Sequence, residues 1–523
     1  MKKTIAASAY SISARAIFDL IICMPQSRPP ALTPAHSQRE GEPNRRGRSP
    51  SPLWGEAGVR GLRGMHIVRL LGLKLAAAAL LLAPAAHATD LLQAWQAAEQ
   101  HDRELAVARA AHGAADPQRR QASALWRPGV GMTAAAGWGH GESQMRGAQF
   151  SAPGMGTSNG VHFGTSITGG TATRVALQAS QPLYNPERRA QQQQLHLQAD
   201  MGDLQWQAAQ QAAMLRTVQQ YLDLAVAQEA LRFIDAQLDA VRKAATEAQD
   251  RYDIGSAPIT AVHEARAQEA QLQARRLAAQ VDLAIQRRQL ADTTGLPADA
   301  LWARLPHAVA PAEQALALWQ ERSAAANPGI RLQLLAADLA RAEADKHRAS
   351  AAPKLDLVAQ AAQERLSGSG DYGSGARNKD TRAMLGVQLT VPLYTGGYRS
   401  AKEDESLARW NEAQARLDAT REQVARQVHA AWLGQQAGAQ QVQALQQALL
   451  ASSARQDATR TGYEVGDRTL LDMLHADNDH AGTQLALAQA RSRLLVLQLQ
   501  LAQLAGQLDE AVLRQAGASF MAP

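Results

Sequence analysis

The fold class predicted by the sequence is mainly α with a β-barrel part. Long coiled-coil-like helical hairpins are joined to four transmembrane strands per protomer, in a trimeric α/β tube with an internal two-fold sequence repeat. Three observations carry this. Two halves of about 210 residues can be laid over one another. Each half contains a pair of runs in which apolar and polar residues alternate with a period of two. Each half then carries helical periodicity for about 65 residues, which at about 1.5 Å per residue makes a helix roughly 100 Å long.

Composition removes other classes. The 523 residues include one Cys and 4% aromatics against 46% hydrophobic residues, a balance that suits Ala- and Gln-rich helices packed through small side chains better than a bulky core. A lone thiol excludes an intrachain disulfide framework and a thiolate zinc site. The only long apolar run, Leu70 to Ala86, lies in MHIVRLLGLKLAAAALLLAPAAHATD. Basic Arg69 and Lys74, the apolar stretch and Ala86-His87-Ala88 before Thr89 make 65–88 a secretory signal peptide, with cleavage expected after Ala88. Residues 1–64, rich in Arg, Pro, Ser and Gly, place that signal impossibly deep, so Met65 is the expected start and 1–64 a disordered or untranslated extension.

Charge points the same way. Residues 1–88 hold 12 of the 54 Lys and Arg but 4 of the 48 Asp and Glu, leaving 42 basic against 44 acidic residues and a net charge of −2 in the remainder. The basic balance of the whole sequence is therefore no sign of nucleic acid. Cys23 falls in the same segment, and a cysteine-free exported chain fits the periplasm or outer membrane, where a stray thiol is oxidised.

The elements follow in the same order in a first repeat, 89–310, and a second, 311–523. Each opens with a helix of about 35 residues, Asp90 to Leu125 and Ala312 to Ser350, ended by Pro128 and Pro353. Alternating runs come next: Val130, Met132, Ala134 and Ala136 share one side in the first half, and Leu355, Leu357, Ala359 and Ala361 in the second. Gly- and Ser-rich segments, Gly137 to Gly170 and Ser367 to Gly375, read as wet loops at hairpin tips. On the return runs Val175, Leu177 and Ala179 oppose Arg174, Gln178 and Ser180, while Leu385, Val387, Leu389 and Val391 oppose Gln388 and Thr390.

The strands end at Gln181-Pro182-Leu183-Tyr184 and Val391-Pro392-Leu393-Tyr394. Long helices then run from Pro186 to Tyr252 and from Gly397 to Tyr463, with Leu417, Val424, Val428, Val442, Leu445 and Leu449 at helical spacing. Tight turns at Gly255 and Gly466 reverse the chain into helices Ile259 to Thr294 and Thr469 to Leu504. Gly295 and Gly506 pair beyond them.

Four strands cannot close a barrel, and an open sheet edge in lipid leaves backbone groups unpaired at several kcal/mol each. Three copies supply an even, barrel-forming set of about twelve strands. The helical hairpins can continue the tube into the periplasm. Two other readings of the pattern are a periplasmic coiled-coil adaptor and a structural coiled-coil protein with a small β cap. An adaptor calls for one long hairpin between compact β domains, whereas this chain has two, each beside a strand pair.

The order of elements over 90–515, the Pro-Leu-Tyr strand ends and the turns YDIGSAPIT and YEVGDRTLLDML resemble the TolC family of trimeric outer-membrane export channels. The second turn is the more specific, carrying a run similar to the family's G-x-R-T-x-x-D. No Cys follows the expected cleavage site, which resembles the type I secretion branch more than the lipoprotein drug-efflux branch. The resemblance implies a homotrimer in outer-membrane lipid, open at the cell surface and closed at its periplasmic end. It also implies a periplasmic adaptor (membrane fusion) protein as partner, and through it an inner-membrane ABC or proton-driven transporter.

Carried over position by position, Tyr463, Arg468 and Thr260 match tip-linking positions and Asp472 an acidic ring. Two positions depart from the family: Ala261 stands where a carboxylate partner of the Arg is expected, and His475 where a second acidic ring is expected. We expect successive Asp472 and His475 rings around a narrow opening, with the departure at His475 making it pH-sensitive.

Other constellations carry less. HADNDH (His475 to His480) raises a metal site, because Asp472 just before it, His475 and Asp479 share a helical face, although such a face is more often simply wet. GSGDYGSG lacks the Lys-Ser/Thr and following helix of a phosphate cradle and reads as a surface loop. No nucleophile elbow or Ser/His/Asp spacing points to an enzyme, and no cofactor is expected.

Overall fold

The computed structural model describes residues 90–309, 314–370 and 373–520. The expected extension and signal peptide lie outside the described residues. The opening helix is three pieces, α1 (Leu91–His101), α2 (Arg103–His112) and α3 (Ala115–Ala124). The expected unbroken helix is corrected by Asp102, which leaves helical geometry and caps α2 by accepting from the backbone N–H of Glu104 and Leu105, and by the Gly113–Ala114 step before α3.

Strands β1 (Gly129–Ala152) and β2 (Gly156–Tyr184) follow, then α4 (Pro186–Asp253) and α5 (Ile259–Thr294). The second half gives α6 (Leu316–Ala326), α7 (Pro328–Ala349), β3 (Lys354–Gly370), β4 (Gly373–Thr390), α8 (Tyr398–Glu464) and α9 (Leu470–Leu504), closed by a short α10 (Glu510–Gly517). Its opening helix also breaks, at Asn327-Pro328, because Pro restricts the residue before it and Asn327 caps α7 through the N–H of Ile330. The two breaks are equivalent. His101, which ends α1, lies against Gly295, and Ala326, which ends α6, lies against Gly506. Both glycines hold the left-handed conformation, with φ of 72° and 68°, that ends the returning helix.

The four strands form one antiparallel sheet in the order β1-β2-β3-β4. Its register aligns the alternating runs across the strands: Met132 faces Leu177, Leu177 faces Ala361, and Leu357 faces Val387. One sheet face is therefore apolar from β1 to β4, with Val130, Met132, Val175, Leu385, Val387 and Leu389 all exposed. The opposite face carries Arg174, Glu364 and Asp380 in one cross-strand row, with Gln178 facing Gln360 nearby.

The Gly- and Ser-rich segments are not loops. Glycine weakens a strand without forbidding it, and apart from bulges and the turn itself these residues find cross-strand partners: β1 and β2 stay paired up to Ala152 and Gly156, and β3 and β4 up to Gly370 and Gly373. Because β3 meets β2 only from Ile167 onward, the β1–β2 ribbon continues alone beyond the shared sheet.

The helices pack through alanines together with large leucine and aromatic side chains. The main core gathers Leu91, Trp95, Leu105, Tyr221, Leu222 and Leu224 with Leu495 and Leu513. Residues 301–304 are tied to α4, where Gln228 accepts from the Ala303 N–H at 3.1 Å and Tyr221 Oη from the Arg304 N–H at 3.0 Å. Burial pushes the Tyr221 phenol up to about 12. A second cluster, with Trp319, Val424, Val428 and Leu501, belongs to the second repeat. None of the described helices is long and apolar enough to cross a membrane.

Candidate functional site at the helical tips

The two tip turns are built alike. After α4, Gly255 adopts φ of 76°, its N–H donates to Tyr252 O, and the Ser256 and Ala257 N–H groups both donate to Arg251 O. After α8, Gly466 adopts φ of 86°, its N–H donates to Tyr463 O, and the Asp467 and Arg468 N–H groups both donate to Gly462 O. The repeat seen in sequence is thus reproduced hydrogen bond for hydrogen bond, and glycine is needed at both turns because the left-handed region is strained for other residues.

The tips differ in what caps the returning helix. Pro258 precedes α5 with no side-chain cap, whereas Thr469 and Asp472 form a reciprocal capping box on α9. The Asp472 carboxylate accepts from the Thr469 N–H at 3.0 Å and hydroxyl at 2.8 Å, and the Asp472 N–H donates back to Thr469 Oγ1 at 3.1 Å. The Thr469 hydroxyl, then its backbone N–H, hold the Asp472 carboxyl below the usual carboxylate range, with smaller help from Arg468 and His475. Ala261 occupies the equivalent place on α5, so the departure noted in sequence removes a cap as well as a charge.

Four of the five site residues gather at the second tip. Tyr463 ends α8 half-buried, donating to Glu247 Oε1 at 3.4 Å, while the Arg251 guanidinium lies 5.1 Å from its ring centroid. Burial, then the Glu247 charge, push the Tyr463 phenol up. Arg251 is itself paired to Glu247 at 2.6 Å. Tyr463 thereby joins the second hairpin to the first. Leu470, Leu474 and Met473 reinforce the joint by packing with Val241, Ala248 and Val262.

The Arg468 stem lies over Gly462, where a Cβ would meet its Cγ at 2.7 Å. Among the described residues its guanidinium has no recorded ion pair. His475 is exposed one turn beyond Asp472, and Thr260 is exposed in the first turn of α5, with no recorded bond to the second hairpin. The structure therefore brings Tyr463, Arg468, Asp472 and His475 to one tip and leaves Thr260 on the other.

Sequence reasoning missed Glu247 and Arg251. They lie on α4, and only the hairpin-to-hairpin packing brings them to Tyr463; their spacing of four residues was the one available signal.

The HADNDH segment is committed to holding α8 and α9 together. Asp479 pairs with Arg455 at 3.0 Å, Asp477 accepts from Gln456 at 2.8 Å, and His480 meets Ser452 at 3.1 Å and Gln484 at 2.9 Å. Among the described residues no cluster of His, Cys, Asp and Glu is arranged to hold a metal.

Comparison with known proteins gives this architecture its relatives. The model of the family described as outer membrane efflux protein matches twice, over residues 94–296 and 319–507. The Outer membrane protein TolC of Escherichia coli is 26% identical over 360 residues, covering 68% of this chain and 73% of that protein. The Proteases secretion protein PrtF of Dickeya chrysanthemi is 26% identical over 445 residues, covering 83% and 92%. Among solved structures, the outer membrane protein VceC of Vibrio cholerae superposes with a TM-score of 0.62 at 20% identity, covering 80% of this chain and 97% of that one. Two matches to one family model, on two helical hairpins and a four-stranded sheet with one apolar face, place the chain in the outer membrane efflux protein family of outer-membrane export channels.

Proposed function

We propose that the protein is a homotrimeric conduit with structural repeats over 89–310 and 311–523. In this reading three four-stranded sheets close one barrel in the outer membrane, and their helical hairpins continue it through the periplasm. The observation that carries the proposal is the sheet. It has two open edges, on β1 and β4, and an apolar face whose rows through Val130, Ala179, Ala359 and Leu385 and through Met132, Leu177, Ala361 and Ala383 reach all four strands. Such a face needs lipid, and such edges need another copy. Exposed Tyr184, Tyr394 and Tyr398 at one end of the sheet and Trp138 toward the other suit the aromatic girdles of a membrane barrel.

The helical hairpins offer matching free flanks. Leu277, Val281 and Ile285 form an exposed apolar stripe on α5, and Leu433 and Leu450 are exposed on α8, the helix at the opposite flank. A neighbour's α8 against α5 covers both.

The closed end of the conduit is the pair of tips. Tyr463 with Glu247 and Arg251 holds the two hairpins together, Arg468 and Thr260 serve links between tips, and Asp472 and His475 face the opening as successive rings. A periplasmic adaptor and an inner-membrane ABC or proton-driven transporter engage this end and open it. The PrtF relative and the Alkaline protease secretion protein AprF of Pseudomonas aeruginosa, 25% identical over 349 residues, support secreted protein as the cargo. The Outer membrane efflux protein BepC of Brucella suis, 27% identical over 293 residues, supports small-molecule efflux as a second reading. The work done is passage, with no catalytic step.

Fractionation tests the proposal. The protein should sediment with outer membranes as a trimer that dissociates on heating, and its deletion should trap one class of cargo inside the cell. Recovery in the soluble periplasm would refute the conduit.

A further inference from the structure

The β1–β2 ribbon inverts its amphipathicity where it leaves the shared sheet. Along β1 the apolar face carries Val130, Met132, Ala134, Ala136 and Trp138, nine residues from first to last, which matches the ~9–11 residues that a tilted strand needs to cross a bilayer. On the same face the next residues are His140, Glu142 and Gln144. The face that is polar lower down, with Thr133 facing Ala176 and Ala135 facing Arg174, continues upward through Gly139, Gly141 and Ser143 to Met145, directly opposite Phe163. The irregularity between Gly139 and Gly141 places its extra residue on β2, so alternation along β1 is undisturbed up to Met145.

Beyond that point Ala148 faces Val161, and the Phe150 ring packs against Phe163 at 6.4 Å between centroids. The upper ribbon is thus wet on the side that faces lipid below, and apolar on the side that lines the polar interior below.

This upper ribbon is two-stranded, because β3 reaches only Ile167. A two-stranded ribbon alone is marginal in water. Met145, Phe150 and Phe163 nonetheless stay 62%, 44% and 51% exposed in the single chain. Their face is continuous with the pore-lining face of the sheet, so in a closed symmetric barrel it points toward the common axis. What can lie there is the same face of the other copies.

We infer that the three β1–β2 ribbons of the trimer converge above the membrane through Met145, Phe150, Val161 and Phe163, and form an apolar constriction over the outer mouth. This inference rests on the trimeric reading above and replaces the expectation of a conduit open at the cell surface with one gated at both ends. An apolar ring excludes water and ions while narrow, and parts when cargo enters.

Cysteine cross-linking tests it, because residues 89–523 contain no Cys. Phe163→Cys is introduced alone, and intact cells are treated with a short bismaleimide. Phe163 thiols meeting at the axis should shift the majority of the chain to dimer mobility on a denaturing gel. Trp138→Cys, on the outward face of the same ribbon, should remain monomeric. A second variant, Met145→Cys, should behave like Phe163→Cys and guards against a local folding failure. If both inward variants still form heat-dissociable trimers yet do not cross-link, the constriction is wrong while the trimer stands. Loss of trimers in the parent protein as well overturns the trimeric reading and the constriction with it.

Discussion

Asp472 and His475 sit one turn apart at the start of α9. The Asp472 carboxyl is held below its ordinary value of 3.8 by the Thr469 hydroxyl and N–H. A depressed carboxyl lends stability that is complete above its unfolded pKa and is lost as pH falls through the lower folded one. The first turn of α9 should therefore loosen only below about pH 3.8, seen as faster amide exchange there, and Thr469→Ala should produce the same loosening at neutral pH. Slow exchange in that variant would show that the box does not hold the helix start.

His475 is exposed one turn beyond Asp472. Histidines that gain charge in a ring repel one another, so we expect a small cation-preferring conductance in a planar bilayer to rise or lose selectivity on acidification. His475→Asn should abolish that change and Asp472→Ala should weaken cation preference. Parental behaviour in both variants would remove these side chains from the opening. The chemistry of this site was legible as residue types, since Tyr463, Arg468, Asp472 and His475 stand on one recognisable turn. The Glu247 and Arg251 partners of Tyr463 were not, because contacts between separate hairpins leave no local pattern.

At the scale of elements, the sheet makes an asymmetric prediction. Val387 lies on the apolar face and Gln388 on the polar one. Val387→Arg should cost about 2–4 kcal/mol of folding stability in lipid if it sits near mid-bilayer, whereas Gln388→Arg should cost little, as measured by denaturant unfolding in vesicles. Equal tolerance at the two positions would count against lipid on the apolar side.

A second test concerns the joint between each returning helix and the opening helix of its own half. A Cβ on Gly506 would lie 2.3 Å from the Ala326 carbonyl oxygen, in a left-handed conformation as well. Gly506→Ala should cost about 1–3 kcal/mol, read as a lowered Tm, and an unchanged Tm would show that the joint yields freely. Elements with a long, strict period were read directly from sequence: the two tip glycines and helices α4, α5, α8 and α9 lie where periodicity and turn chemistry put them. Two features leave no periodic signal. Asp102 and Asn327 cap new helices inside patterns that continue helical on both sides, so the breaks were hidden. The glycine-rich ribbon pairs through its backbone, which composition does not report, so its composition alone reads as loop.

At the scale of the whole molecule, one chain leaves a surface unfinished. The sheet has two open edges, its apolar face is bare, and α5 and α8 carry exposed apolar residues on opposite flanks. Closure by copies of the same chain satisfies all of these together, and three copies of four strands give twelve, an even number within the range of outer-membrane barrels. Native mass spectrometry of the protein extracted from outer membranes in mild detergent tests this most directly. The account predicts a single species containing three copies of the chain, and a monomer or dimer as the main folded species would contradict it.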